Sequence, residues 1–141
     1  MQLSKNEKSA GFVIFRRNGG TKFLFLTNKG RYDLPKGLKQ EGEDDLECAL
    51  RELKEETGIS DVGIVPNFKR TTHYFYRWEN TLISKDVVYF LGETNSDMVR
   101  ISSEHDGYSW LTKDETLSKI KYQNLKDIII EADKKISAVK K

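Results

Sequence analysis

Short apolar runs dominate the first part of the chain. Ala10–Phe15 and Lys22–Thr27 are rich in Phe, Val, Ile and Leu, and Arg17-Asn18-Gly19-Gly20 between them carries turn residues, which predicts a β-hairpin. Runs at Val62–Val65, Phe68–Tyr76, Asp86–Gly92 and Tyr108–Leu111 predict further strands, with Trp78-Glu79-Asn80 as a loop. Elsewhere the period changes. Leu46, Ala49, Leu50 and Leu53 recur at helical spacing, as do Leu125, Ile128, Ile129, Ala132 and Ile136, which predicts two amphipathic helices. With no repeat and no low-complexity linker, this pattern predicts an α+β fold with a mixed sheet on which the last helix lies.

The first helix carries its own boundaries. Asp44 followed three residues later by Glu47 is a capping box, with Asp in place of the usual Ser or Thr. Gly58 stands where a left-handed residue ends a helix, so the helix is predicted over Asp45–Thr57. Glu52, Glu55 and Glu56 then fall at i, i+3 and i+4 and share a face. At roughly 100° per residue they centre about 120° from the apolar stripe, which turns them to a cleft or solvent rather than the core.

Two readings compete for these carboxylates. A solvated acidic face is common, because Glu is a good helix former. Against it, like charges at i, i+4 cost about 0.2–0.5 kcal/mol per pair, and acidic side chains persist here into the last turn, where the helix dipole disfavours them. Arg51 and Lys54 offer local compensation. A hard divalent cation would use all three carboxylates together, and magnesium suits a few carboxylates completed by water and substrate phosphates.

Composition narrows the partners. With 141 residues, 1–141 reads as one globular domain with a modest core. A net charge of +2 gives no broad electrostatic grip on duplex nucleic acid, so local patches decide the ligand. The Lys-rich end, Lys134-Lys135 and Lys140-Lys141, reads as a solvated helix terminus before a nucleic-acid contact. The single Cys48 excludes an intramolecular disulfide. No apolar run approaches the ~20 residues that span a bilayer, and Met1-Gln2-Leu3-Ser4-Lys5 does not lead into the apolar stretch of a signal peptide. A cytoplasmic or nuclear location without membrane contact is the expectation.

The segment Gly37–Ile59 resembles the Nudix box at each fixed position: Gly37, Glu43, Arg51, Glu52, Leu53, Glu55, Glu56, Gly58 and Ile59, with gaps of five and seven residues after Gly37 and Glu43. The resemblance implies a loop, helix and loop on a mixed sheet sandwiched between helices. It also implies an enzyme that hydrolyses a nucleotide phosphoanhydride with magnesium, or manganese in its place. It carries metal-ligand roles to Glu52, Glu55 and Glu56, with the Gly37 carbonyl as a further ligand, and gives the base for water to Glu55 or Glu56. Arg51 is carried over as the residue that orients the Glu cluster for catalysis, and Glu43 as a support for the loop. Such a reaction needs a placed water, neutralised phosphate oxygens and a stabilised leaving group, with little covalent work for the protein. Lys36 and Lys39 would add charge beside the phosphates, and the rigid Leu34-Pro35-Lys36-Gly37 entrance favours Lys36.

Outside the box, three stretches resemble the asymmetrical diadenosine tetraphosphate hydrolases of that family. They are Pro35-Lys36-Gly37 through Gly42–Glu47 and Ala49–Glu52, Phe68-Lys69-Arg70 leading to Tyr74, and Arg100–His105 with Tyr108 and Trp110-Leu111. This resemblance implies a small-molecule dinucleoside polyphosphate substrate, split into ATP and AMP. It sets Glu104 near the metals, Tyr74 and Tyr122 on the two faces of an adenine, and Lys85 on the phosphates. Such stacking contributes about 1–3 kcal/mol per base. For either Tyr, a core or sheet position is the competing reading. His73 and His105 are expected as neutral polar neighbours, since His suits magnesium poorly, and Cys48 as a plain helix residue.

There are departures from the pattern. Leu38 stands where this branch often has His, and Tyr32-Asp33-Leu34 replaces a Trp-Thr-Pro type of sequence, both at the pocket mouth. A diphosphoinositol polyphosphate hydrolase or an RNA 5′-pyrophosphohydrolase would share the metal site but need a denser basic pocket or a strand-binding groove. A non-catalytic nucleotide-binding module would show a broken box, and here each acidic position is intact.

Overall fold

The computed structural model describes residues 4–96 and 98–138; Lys140-Lys141 of the Lys-rich end lies outside the described residues. In chain order the elements are β1 (Ser4–Arg16), β2 (Lys22–Asn28), β3 (Arg31–Asp33), β4 (Lys36–Leu38), α1 (Asp45–Thr57), β5 (Gly63–Trp78), β6 (Thr81–Glu93), β7 (Gly107–Leu111), α2 (Lys113–Lys119) and α3 (Gln123–Ala138). The strands form one mixed sheet in the order β3-β2-β1-β6-β5, with β4 also paired to β1 and β7 to β2. Among the described residues no helix is long and apolar enough to cross a membrane.

β1 runs parallel to β6 from Ser4↔Leu82 to Phe15↔Glu93. Successive side chains of a strand point to opposite faces, so this one strand feeds two cores. Ala10, Phe12 and Ile14 meet Leu24 and the Cys48, Ala49 and Leu53 stripe of α1. Val13 and Phe15 meet Phe25, Tyr89 and Leu91, and beyond them the Leu125, Ile128, Ile129, Ala132 and Ile136 stripe of α3. A strand buried on both faces reads as a continuous apolar run, which is why Ala10–Phe15 shows no polar alternation. The result is a mixed sheet with α1 on one face and α3 on the other.

Several elements differ from the sequence expectation. The predicted hairpin is short: β1 pairs with β2 at Phe15↔Phe23 and Arg16↔Lys22, then turns to β4 at Ser9↔Leu38, Ala10↔Gly37 and Gly11↔Lys36. Phe12 N also donates to Pro35 O at 3.0 Å. This close approach requires Gly11, where any Cβ would collide with the Pro35 carbonyl and with Lys36. The runs at 62–65 and 68–76 merge into β5, with a register shift between Ile64 and Lys69 where Asn67 adopts φ 66°. Trp78 ends that strand, leaving Glu79-Asn80 as the turn. A third helix, α2, appears where periodicity predicts two. Its seven residues are too few for an apolar stripe, and its sequence trace is the Thr112–Glu115 capping box.

α1 occupies the range its caps predict. The Asp44 side chain accepts from Glu47 N at 2.8 Å, Glu47 Oε1 accepts from Asp44 N at 2.9 Å, and Gly58 closes the helix at φ 77°. Asp44→Ala leaves the Glu47 amide without its side-chain acceptor, so unfolding in urea should show a loss of about 1 kcal/mol. Unchanged stability would mean that packing alone fixes this end of α1.

Candidate active site

Arg51 organises the acidic side of α1. Its guanidinium donates to Glu43 through Nε at 2.5 Å and Nη2 at 3.1 Å, to Glu52 at 2.9 Å and Glu55 at 3.2 Å through Nη1, and to the Leu38 carbonyl at 2.9 Å. A planar fork with five N–H groups is thereby used on three carboxylates and a loop carbonyl. Glu43 also accepts from Gln40 N at 2.8 Å, which closes the loop before the helix. First the Arg51 hydrogen bonds and then the Gln40 amide hold the Glu43 carboxyl down at about 2. Arg51 touches three carboxylates and the Leu38 carbonyl and does not line the cavity bordered by Lys36 and Tyr74.

The three helix carboxylates do not share one environment, which corrects the expectation of a face turned wholly to cleft or solvent. Glu55 is exposed, Glu52 is largely covered, and Glu56 is buried with 7% of its surface accessible. Glu56 accepts from Lys36 N at 3.1 Å. Burial, and the nearby charges of Glu52 and Glu104, push its carboxyl up to about 8 against the Lys36 amide and ammonium. Burial likewise raises Glu52 in spite of Arg51, helped by Glu55 and Glu104. Glu52 lies so close to Gly37 that a Cβ there would overlap its carboxyl group. The Gly37 carbonyl accepts a weak hydrogen bond from Cys48 Sγ at 3.4 Å, so this buried thiol sits against β4.

Among the described residues no three His, Cys, Asp or Glu side chains already form a compact metal cage. Arg51 engages Glu52 and Glu55, while Glu56 is turned to the Lys36 amide. The donor set nonetheless suits a hard cation. Two covered carboxylates hold protons more tightly than usual because burial and mutual repulsion are incompletely compensated, and a divalent ion would relieve both.

Lys36 joins this row to a cavity of about 640 Å³, within the range of small-molecule sites. Its ammonium pairs with Asp33 at 2.6 Å. Burial works against the charge on Lys36, but Asp33, and with it Tyr74 and Glu56, outweighs burial and raises its pKa. Tyr74 and Tyr122 both line the cavity, at 38% and 54% exposure, and so are available to a ligand rather than committed to the core. Tyr76, beside Tyr74 at a ring separation of 6.3 Å, donates its hydroxyl to Glu7 at 2.8 Å. Lys85 stands opposite Tyr74 in the β5–β6 register, outside the cavity lining; burial and then Lys36 lower its pKa against Glu7 and Asp33.

Among the other wall residues, Asp33 lies in the segment expected at the pocket mouth, whereas Asn28 and Arg31 have no local sequence signal. Asn28, Arg31, Asp33 and His105 line the cavity because the sheet brings β2, β3 and the loop before β7 together. Asp106 fixes that loop: it accepts from Thr27 Oγ1 at 3.0 Å and Lys29 N at 2.7 Å, and its own amide donates to the Thr27 carbonyl at 3.0 Å. Glu104, one residue before His105, is thereby held where its charge reaches Glu52 and Glu56. His73 lies elsewhere, on the other face of β5, paired with Asp86.

A match to the NUDIX domain family extends over residues 5–132, and the chain belongs to that family. Within it, the chain is 35% identical over 138 residues to the mouse protein named bis(5′-nucleosyl)-tetraphosphatase [asymmetrical], covering 88% of this chain and 91% of that one. Its fold is similar to the crystal structure of a C. elegans Ap4A hydrolase binary complex, with a TM-score of 0.78 and 30% identity over 94% of this chain and 96% of that one. An mRNA-decapping protein of African swine fever virus is 32% identical over 123 residues, which is 79% of this chain and 46% of the viral protein.

The raised Glu56 carboxyl links stability to pH. A carboxyl whose pKa rises on folding, here from 4.5 to about 8, adds stability that is fully present below the lower value and lost as pH passes the upper one. With EDTA present, the melting temperature should therefore fall as pH rises between about 5 and about 8, and Glu56→Gln should flatten that decline. An undiminished decline in Glu56→Gln would assign it to other groups.

Proposed function

We propose that this chain hydrolyses dinucleoside polyphosphates and splits diadenosine tetraphosphate asymmetrically into ATP and AMP, using magnesium or manganese. The observation that carries this reading is the position of Lys36. Its amide donates to Glu56 and its ammonium stands by Asp33 and Tyr74, so one residue spans the step from the nucleoside-sized cavity to the carboxylate row. The similarity to the mouse tetraphosphatase supports the same substrate class.

Glu52, Glu55, Glu56, Glu104 and the Gly37 carbonyl would hold the divalent ions, which neutralise phosphate oxygens and activate water when bound. The chain's own groups do the rest. Tyr74 and Tyr122 hold an adenine between them, and Lys36 with Lys85 steadies the polyphosphate. Arg51 keeps Glu52 and Glu55 in place, and Glu55 or Glu56 takes the proton of the attacking water. The water oxygen bonds to the phosphorus of the AMP unit while the bond from that phosphorus to the bridging oxygen breaks, and ATP departs. A fixed separation between the aromatic pair and the carboxylates selects one phosphate of the chain. The similarity to a viral mRNA-decapping protein favours a second reading, in which the substrate is the 5′ end of an RNA.

A panel of diadenosine tetraphosphate, capped and triphosphorylated RNA and diphosphoinositol phosphates, incubated with magnesium and resolved by ion-exchange chromatography, separates these readings. Diadenosine tetraphosphate should be consumed fastest, giving ATP and AMP, with ¹⁸O from labelled water in AMP alone and no turnover in EDTA. ADP as the main product would overturn the asymmetrical assignment, and faster turnover of RNA would select the second reading.

The aromatic pair gives a separate prediction. Tyr74→Ala and Tyr122→Ala should each weaken adenine-nucleotide binding by roughly 1–3 kcal/mol in calorimetric titration, with Phe at either position much milder because the ring face makes the contact. Equal losses for Ala and Phe would transfer the role to the hydroxyl.

A further inference from the structure

Tyr122 lines two cavities. Besides the large one it lines a small cavity of about 160 Å³, which shares Arg31, Tyr32 and Tyr122 with it and adds Lys119 and Lys121. That volume lies below the roughly 300–1,000 Å³ usual for drug-sized ligands, so it suits a small group rather than a second nucleoside. Three cations border it, and among the described residues none of them is in an ion pair. α3 begins directly after Tyr122 with no acidic residue in its first turn, and its Asn124 and Leu125 line the large cavity. Nothing of the reaction proposed above uses these charges.

We propose that Arg31, Lys119 and Lys121 form a second anion site, which takes a phosphate carried on the 3′ side of the nucleoside held in the large cavity. This rests on the reading of that cavity as the nucleoside site. The 5′ phosphates of such a nucleoside lead toward Lys36 and the carboxylates. Its ribose hydroxyls are then the groups left to reach toward the small cavity, and a phosphate there meets three cationic donors, of which only Lys119 has its charge near a carboxylate, that of Glu115. The phosphate is either a terminal 3′-monophosphate or the first diester of an RNA chain.

Calorimetric titration with AMP, adenosine 3′,5′-bisphosphate and the dinucleotide 5′-pApA tests this directly. The bisphosphate should bind about tenfold more tightly than AMP, with the gain shrinking as salt is raised. In the Lys119→Gln/Lys121→Gln double variant the gain should vanish while AMP affinity is unchanged, since these two residues border the small cavity alone. If pApA shares the gain, the site takes an RNA diester; if the bisphosphate alone gains, it takes a terminal phosphate. Equal binding of AMP and the bisphosphate, or a gain that survives in the double variant, would overturn the second site while leaving the nucleoside pocket intact. Failure of AMP itself to bind would overturn the pocket reading and this one with it.

Discussion

β1 has two edges and three neighbours. One edge is given wholly to β6, and the other is divided between β2 near Phe15 and β4 near Gly11. Buried backbone groups must be paired, so a strand at the centre of the sheet can split its partners in this way only if both fit against it closely. Gly11 makes room for Pro35 and Lys36. From that division the site follows. β4 is drawn in beside the end of α1, where the Lys36 amide meets Glu56, while β2 is left to pair with β3 and β7 and to build the walls of the cavity.

The acidic cluster survives because two cations each serve several partners. Arg51 spreads over Glu43, Glu52 and Glu55, and Lys36 stands among Asp33, Tyr74 and Glu56. Neither fully compensates for burial, so Glu52 and Glu56 hold their protons more tightly than exposed carboxylates do. A centre with surplus negative charge, partly withdrawn from water, favours an added cation more strongly than an exposed acidic surface would. Glu55, open to solvent, sits in the last turn of α1 against the helix dipole, where Arg51 Nη1 donates to it at 3.2 Å.

How far the sequence could be read depended on the range of the interactions involved. The limits of α1 were legible in Asp44, Glu47 and Gly58 because capping is local, and the common side of Glu52, Glu55 and Glu56 followed from helical geometry. That Glu56 is buried and Glu55 exposed did not follow, since it depends on how α1 lies against β4. The two cores were legible in the apolar stripes, yet β3 and β4 were too short to show a period. The cavity wall was the least legible part. Asn28 of β2, Arg31 and Asp33 of β3, and His105 in the loop before β7 are brought to one wall by strand pairing, and of the β3 segment only its place at the pocket mouth was legible.

Lys36 is the residue through which the two halves of the site touch, and the halves are built differently. The carboxylates sit on a helix capped at both ends and tied to its loop by Arg51, where exchanging any one side chain disturbs several others. The wall around Tyr74 and Tyr122 is assembled from several strands, the loop before β7 and the start of α3, and no single side chain in it gathers as many partners as Arg51 does. Inheritance can therefore act on the halves at different rates. Descendants of such a chain can trade one guest for another by piecemeal change in the wall, while the acidic helix passes on unaltered, so kinship within this fold is better read from α1 than from what any one member binds.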